Sequence, residues 1–213
     1  MEPITLDQIE EIVNVVSNNY ISFNENFILD NQLNNSLAEL LVTDVYLYQQ
    51  TQFNQKYLTL LTHDLIQLRG YNFEKSLDCL SQNLSFDFQY RIKDSTSMVN
   101  KLQHYAYLST VKSEGKKFLM KCLNDLFGCR IVCNLDTNLD KIEKWLRDHK
   151  RIQNGSQITY YYRDAQGYKG LHCYIKYYQR NLTLPWEIQF WDSKNEITNY
   201  QLHEKHEVDK DIN

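Results

Sequence analysis

The chain has 213 residues, 42% of them hydrophobic, enough for one sizeable core or for a compact domain of about 150 residues with a helical extension. Its 23 basic and 27 acidic residues leave a formal net charge of -4, which gives no support to a broad nucleic-acid coat but leaves room for a local basic pocket. No apolar run is long enough to span a bilayer and no basic region leads into an apolar stretch at the N-terminus, so a cytoplasmic protein is expected.

In chain order, Leu6, Ile9, Val13, Val16 and Tyr20 fall at helical spacing, with Thr5 or Asp7 available near the start. A second helix is expected over 33–50 from Leu37, Leu40, Leu41, Val45 and Leu47. A third is expected over 53–69, stopped by Arg69-Gly70. From Ser85 the period changes to two: Phe86 and Phe88 alternate with Asp87 and Gln89, and Tyr90-Arg-Ile-Lys continues the strand. Helices over 96–108 and 111–124 come next, then a strand through Cys129 to Cys133. A further helix is marked by Leu139, Ile142, Trp145 and Leu146, with basic residues near its C-terminus. Extended pieces follow over 157–163, 171–178 and 185–191, with a short helix after Asn195. This is an α/β pattern with late strands and helices around them. Cys79, Cys122, Cys129, Cys133 and Cys173 form neither a C-x-x-C pair nor a secreted disulfide pattern, which fits a reduced, intracellular protein.

Four runs carry chemistry. In Arg91-Ile-Lys93-Asp-Ser-Thr-Ser97-Met-Val-Asn-Lys101, Arg91 and Lys93 share one strand face. Asp94 or Ser95 can cap the helix that follows, whose first N–H groups suit a phosphate. Ser97 and Lys101, four apart, share a helical face. Cations from strand and helix can thus surround a triphosphate; the plain alternative is a set of solvated charges. In Asp125-Leu-Phe-Gly128-Cys-Arg130, an acid entering an apolar strand must be paired or bind a cation. Asp125 is either a Mg2+ ligand or the ion-pair partner of Arg130.

In Gln166-Gly-Tyr168-Lys169-Gly170-Leu-His172-Cys-Tyr174, Tyr168, His172 and Tyr174 share a face. The flanking glycines are expected to expose Tyr168 as a platform for a base. Lys169 is placed within reach of phosphate, and His172 is cast as a hydrogen-bond donor or orienting group. In Glu187-Ile-Gln189-Phe-Trp191, Glu187 and Gln189 face away from the core. Glu187 can bind Mg2+ with Asp125 or act as general base toward a hydroxyl. Lys112, Lys116, Lys117 and Lys121 would form one basic helical patch.

The order Arg-x-Lys-x-x-x-Ser-x-x-x-Lys, Asp-x-x-Gly-x-Arg, Gly-Tyr-x-x-Leu-His and Glu-x-Gln resembles the synthetase domain of the RelA/SpoT nucleotide pyrophosphokinases over about residues 53–207. The resemblance implies a mixed, about five-stranded sheet surrounded by helices. It divides the chain into an N-terminal helical extension (1–52), the synthetase-like domain (53–207) and a polar tail (208–213). It implies transfer of the β,γ-pyrophosphate of ATP to a ribose 3′-hydroxyl, with Mg2+ held by Asp125 and Glu187. ATP would be bound by Arg91, Lys93, Ser97, Lys101 and Arg130. The acceptor would lie against Tyr168, Lys169, His172 and Gln189. No histidine-rich hydrolase half accompanies it.

The sequence departs from the family where Asn-Pro-Lys commonly leads into the tyrosine motif, for Tyr161-Tyr-Arg-Asp-Ala-Gln166 stands there. It departs again where Gly170 replaces the usual serine and Trp191-Asp192 the usual Arg-Thr. Pro185-Trp-Glu-Ile-Gln-Phe-Trp191 is similar to the Pro-Trp-Glu-x-Gln-x-Trp of the toxic branch. Members of that branch pyrophosphorylate the 3′-CCA end of tRNA, and several are paired with an antitoxin. A tRNA acceptor is therefore expected, with GDP or GTP and alarmone synthesis as the alternative, and an inactive nucleotide-binding regulator as a third reading.

Overall fold

The computed structural model describes residues 4–31, 37–71, 87–150, 155–165, 167–177 and 184–202. Helix α1 (Leu6–Asp30) starts where Thr5 and Gln8 form a reciprocal capping box, and it buries Ile9, Ile12, Val13, Val16, Tyr20, Phe23 and Phe27. The single helix expected over 33–50 is not there among the described residues. A 3-10 turn (Leu37–Glu39), a one-turn helix α2 (Val42–Val45) and a two-residue hairpin of β1 (Tyr46–Leu47) with β2 (Gln52–Phe53) take its place. β-Branched Val42, Thr43 and Val45 disfavour a long helix. Thr51, at φ 51°, turns the chain back so that Tyr46 pairs with Phe53. Helix α3 (Gln55–Gly70) follows as its periodicity predicts.

Five strands build the main sheet: β3 (Asp87–Ile92), β4 (Phe127–Cys133), β5 (Ser156–Ala165), β6 (Tyr168–Tyr177) and β7 (Trp186–Asp192). Their order is β3-β4-β7-β6-β5, with β4 and β7 parallel and the other pairs antiparallel. Helix α4 (Ser95–Thr110) leaves β3 directly, and α6 (Leu135–Asp148) leaves β4. The helix expected over 111–124 shrinks to the single turn α5 (Leu119–Cys122). Ser113 at φ 52° and Gly115 at φ 84° end α4 in a loop. Lys112, Lys116, Lys117 and Lys121 therefore share no helical face, and Lys117 instead pairs with Glu114 at 3.2 Å. Residues 196–202 form a last helix, α7. The extended reading at Ser85 and Phe86, and Cys79, lie outside the described residues.

The strand period of two divides the sheet into faces of opposite character. Phe127, Cys129, Ile131, Leu171, Cys173, Ile188 and Phe190 point into one core, which α1 joins through Tyr20, stacked 5.3 Å from Phe127. Burying each large side chain there contributes about 1.5–3 kcal/mol. The opposite face carries Gln89 and Arg91 on β3, Arg130 on β4, and Glu187, Gln189 and Trp191 on β7. It continues through Tyr168 and His172 on β6 to Tyr161 and Arg163 on β5. Cys122, Cys129, Cys133 and Cys173 are free and buried. No helix among the described residues is long and apolar enough to cross a membrane.

Asp64 of α3 is buried, with an Oδ1 that has no hydrogen-bond partner among the described residues. Burial pushes its carboxyl from the ordinary 3.8 up to about 7, and it faces the Tyr20 phenol of α1. The folded state therefore binds this proton more tightly than the unfolded chain, so the contribution of Asp64 to stability is fully present below pH 3.8 and is lost as pH rises toward 7. Asp64→Asn should raise the melting temperature at pH 8 and flatten its decline between pH 4 and pH 7; an unchanged slope would place the titration elsewhere.

Candidate active site

Glu187 stands in the middle of the polar face because β7 is the central strand. It is buried, with His172 Nδ1 2.8 Å from its Oε1, Gln189 Nε2 2.6 Å from its Oε2 and Arg91 Nη2 at 4.0 Å. Behind His172, Tyr168 Oη lies 2.8 Å from its Nε2, and Trp191 Nε1 lies 3.0 Å from Tyr168 Oη. The direction of this chain is fixed at both ends, because an indole only donates and a carboxylate only accepts. Trp191 donates to Tyr168 Oη and His172 Nδ1–H donates to Glu187, while the Tyr168 hydroxyl and His172 Nε2 share the hydrogen bond between them. Burial acts to raise the Glu187 carboxyl, but the His172 hydrogen bond and charge outweigh it and hold the group below the ordinary glutamate range. It is a fixed carboxylate facing a cleft lined by Gln89, Arg91, Gly128, Arg130 and Gln189.

The cations stand beside it. Lys93 follows β3 and is anchored by its N–H to the Leu126 carbonyl, while Lys101 comes from the second turn of α4. Their ammonium groups meet Asp125 Oδ2 at 3.0 and 2.8 Å. Burial acts to raise Asp125, yet Lys101 and Lys93 overcome it and hold the carboxyl far below the ordinary range. The alternative of an Asp125–Arg130 pair is thus excluded, for these two lysines take the Asp125 carboxylate. β4 begins before Gly128, so Asp125 stays on the approach to the strand while Arg130 stands within it. Arg130 stacks 3.4 Å from the centroid of the Trp191 ring, with Tyr200 of α7 at 5.1 Å. Asp94 caps α4 by accepting from the Ser97 N–H at 2.8 Å, so a carboxylate already serves the helix start that was read as a phosphate cradle.

Arg91, Arg130, His172, Glu187 and Gln189 therefore meet on one face, and Lys93, Lys101 and Asp125 form a cluster at its β3–α4 corner, with Ser97 one helical turn before Lys101. Two expectations are corrected. Lys169 points to the other face by alternation, 3.7 Å from Asp164 across the β5–β6 pair, and does not join the site. Tyr168 is 6% exposed, with its phenol pushed up to about 12 by burial, and offers no open ring. Gly170 explains the inward pose. A Cβ at that position would lie 3.0 Å from Tyr168 Oη and 3.2 Å from Trp191 Cδ1. Two of the departures from the family pattern, Gly170 and Trp191, thus act together: one makes room for the Tyr168 ring and the other holds its hydroxyl. Gly170→Ser should displace Tyr168, break its bond to Trp191 and cost about 1–3 kcal/mol. The near-UV dichroism of Trp191 would report the change, and an unaltered spectrum would show that the packing has slack.

Three participants were not read from the sequence as site residues. Trp191 shares the strand parity of Glu187 and Gln189, a usable signal. Tyr161 faces His172 only through the β5–β6 register, and Tyr200 reaches Arg130 only through the placement of α7.

A mixed sheet with one apolar face and one face of convergent cations around a buried carboxylate has the chemistry to bind and transfer phosphoryl groups. The sequence model of the family described as a region found in RelA / SpoT proteins matches residues 90–206, more than half of the chain, and the chain belongs to that family of ATP-using pyrophosphokinases. No curated protein sequence matches it. Among solved structures, it is similar to small alarmone synthetase 2 from Bacillus subtilis, at 19% identity and TM-score 0.42, covering 73% of this chain and 80% of that one. It is also similar to small alarmone synthetase 1 from Bacillus subtilis, at 15% identity and TM-score 0.43, covering 71% and 78%. The same synthetase 1 bound to AMPCPP matches at 14% identity and TM-score 0.32, covering 74% and 86%.

Proposed function

We propose that the chain transfers the β,γ-pyrophosphate of ATP to the ribose 3′-hydroxyl at the CCA end of tRNA. The observation that carries the transfer is the fixed carboxylate of Glu187 among phosphate-binding cations. In this reading Arg91, Lys93, Lys101 and Arg130 bind the triphosphate, with Ser97 beside them on α4. Glu187 takes the proton from the 3′-hydroxyl, whose oxygen attacks the β-phosphorus. The bond from that phosphorus to the α,β-bridging oxygen breaks and AMP leaves. The His172 and Gln189 hydrogen bonds hold Glu187 in position and compensate its charge before the proton arrives.

The residues fit Mg2+. Asp125 Oδ1 is buried with no hydrogen-bond partner among the described residues, and Glu187 lies close enough for the two carboxylates to repel. Hard oxygen ligands of this kind suit the ion. Asp125 and Glu187 would hold it, and bound there it would supply positive charge to the phosphate oxygens.

Support for tRNA comes from the acceptor side, where the Gly170, Trp191 and Tyr161-Tyr-Arg163 departures gather on one half of the sheet. A chain acting on that end would stop translation, and such a toxin calls for a neutralising antitoxin. The alternative acceptor, GDP or GTP, is favoured by the loss of the lysine face at 112–121, which leaves no helical stripe for an RNA backbone. ATP labelled at the γ-phosphate, incubated with tRNA and with GDP in parallel, separates them. Label on tRNA is expected; label confined to the guanine nucleotide would overturn the tRNA assignment and leave an alarmone synthetase.

A further inference from the structure

We propose that Tyr200, carried by the closing helix α7, is a positioning residue for Arg130. With Trp191 it holds the guanidinium in the corner between two aromatic rings, and so sets the cation in place before ATP arrives. The proposal rests on the pyrophosphotransfer reading and adds to it a residue that acts through Arg130 alone.

Arg130 stands on β4 between Gln89 of β3 and Gln189 of β7. Its Nε is buried with no hydrogen-bond partner among the described residues. Burial lowers its pKa from the ordinary arginine value, a hydrogen bond with Tyr200 opposes this, and the like charge of Arg91 adds to it. A buried cation beside another cation needs something to hold it, and here the holding groups are rings. The guanidinium lies 3.4 Å from the Trp191 centroid and 5.1 Å from that of Tyr200, and the two rings meet edge to face at 73°. The electron-rich faces attract the flat cation. Fixing a rotamer-rich arginine in advance removes that ordering cost from nucleotide binding.

Tyr200 is itself held from both sides of the sheet. Its hydroxyl donates to Gln89 Oε1 at 2.7 Å, on the residue that pairs with Arg130 in the β3–β4 register. The adjacent Asn199 is fully buried; it accepts from the Lys169 N–H at 3.1 Å and donates to the Lys169 carbonyl at 2.9 Å. Asn195, just before α7, donates to the Gly167 carbonyl at 3.2 Å. The helix is thus tied to the start of β6 at one side and to β3 at the other. Between these ties lie β7 and β4, a span of about 14 Å at the usual strand spacing. Such a strap keeps the Tyr200 ring beside Arg130 whether or not a nucleotide is bound.

Calorimetric titration of the intact chain with AMPCPP tests this on the parent, Tyr200→Leu, Arg130→Gln and the double variant. Tyr200→Leu should fold and should weaken AMPCPP by about 3- to 30-fold, the size of one cation–π contact. In the Arg130→Gln background the same change should cost no further affinity, because nothing is left to position. Tyr200→Phe keeps the ring and should retain most of the affinity. In turnover, Tyr200→Leu should raise the ATP KM and leave the acceptor KM in place. A Tyr200→Leu chain that fails to fold, that binds AMPCPP as the parent does, or that loses affinity equally in both backgrounds would overturn the positioning role and leave the transferase reading intact. Parent-like AMPCPP affinity in Arg130→Gln would remove Arg130 from the ATP site and overturn the proposal at its base. A parent protein that binds no AMPCPP would overturn both readings.

Discussion

Glu187→Gln should lower pyrophosphate transfer by about 10²- to 10⁴-fold, the scale of a lost general base, while ATP binding and the fold should survive. Survival follows from the surroundings of the carboxylate. An amide oxygen at position 187 can still accept from His172 Nδ1–H. The new NH2 group would meet the Gln189 amide, which now donates to Glu187 at 2.6 Å. Gln189 Oε1 has no hydrogen-bond partner among the described residues, so rotating that amide presents an acceptor to the new donor and leaves the packing in place. ATP binding should survive because Lys93 and Lys101 are anchored on Asp125, and of the cations proposed for the triphosphate only Arg91 pairs with Glu187, at 4.0 Å. Calorimetric titration with AMPCPP beside a transfer assay makes the measurement. Transfer within a few-fold of the parent would remove Glu187 from the role of base.

Asp125→Ala has the largest effect on stability, about 3–5 kcal/mol. The variant leaves the Lys93 ammonium buried at 7% exposure without its partner, whereas Lys101, at 23%, can turn toward water. Adding Lys93→Met should recover much of the loss, since it removes the stranded charge and keeps the volume. The parent pair also sets an acid limb. The Asp125 carboxyl is depressed in the folded state, so its contribution is present above the ordinary 3.8 and is lost as pH falls below that value. Urea denaturation of the three proteins at pH 7 decides the matter. A loss below about 1 kcal/mol, the size of an exposed pair, would show that water reaches this corner.

Much of the fold was legible because it rests on period. The alternation through β3, β4, β6 and β7 separates core from site residue by residue, and the cap of α1 stands in the sequence as Thr5 and Gln8. The segments 33–50 and 111–124 were misread for a common reason: both carry leucines or lysines at helical spacing. What decides their structure is backbone at Thr51, Ser113 and Gly115, where positive φ breaks the helix. At the site, Arg91, Arg130, His172, Glu187 and Gln189 were named through the resemblance to the RelA/SpoT motifs, with parity grouping Glu187 with Gln189; that all five share one face follows from the pairing of β3, β4, β7 and β6. The partners of Asp125 were not legible, since they depend on how α4 packs against the approach to β4. Tyr168 was misread because the flanking glycines were taken as exposing its ring. Gly170 does the reverse, giving the ring space to lie against Trp191. Tyr161 meets His172 only once β5 and β6 are in register, information that no single segment holds.

The products formed from ATP test the central claim most directly. With an acceptor present, the parent protein should release one AMP for each pyrophosphoryl group that appears on the acceptor, with label from the β- and γ-phosphates arriving together. Glu187→Gln should suppress both products in parallel. ADP as the co-product, or AMP released with no label on any acceptor, would contradict pyrophosphate transfer by this chain.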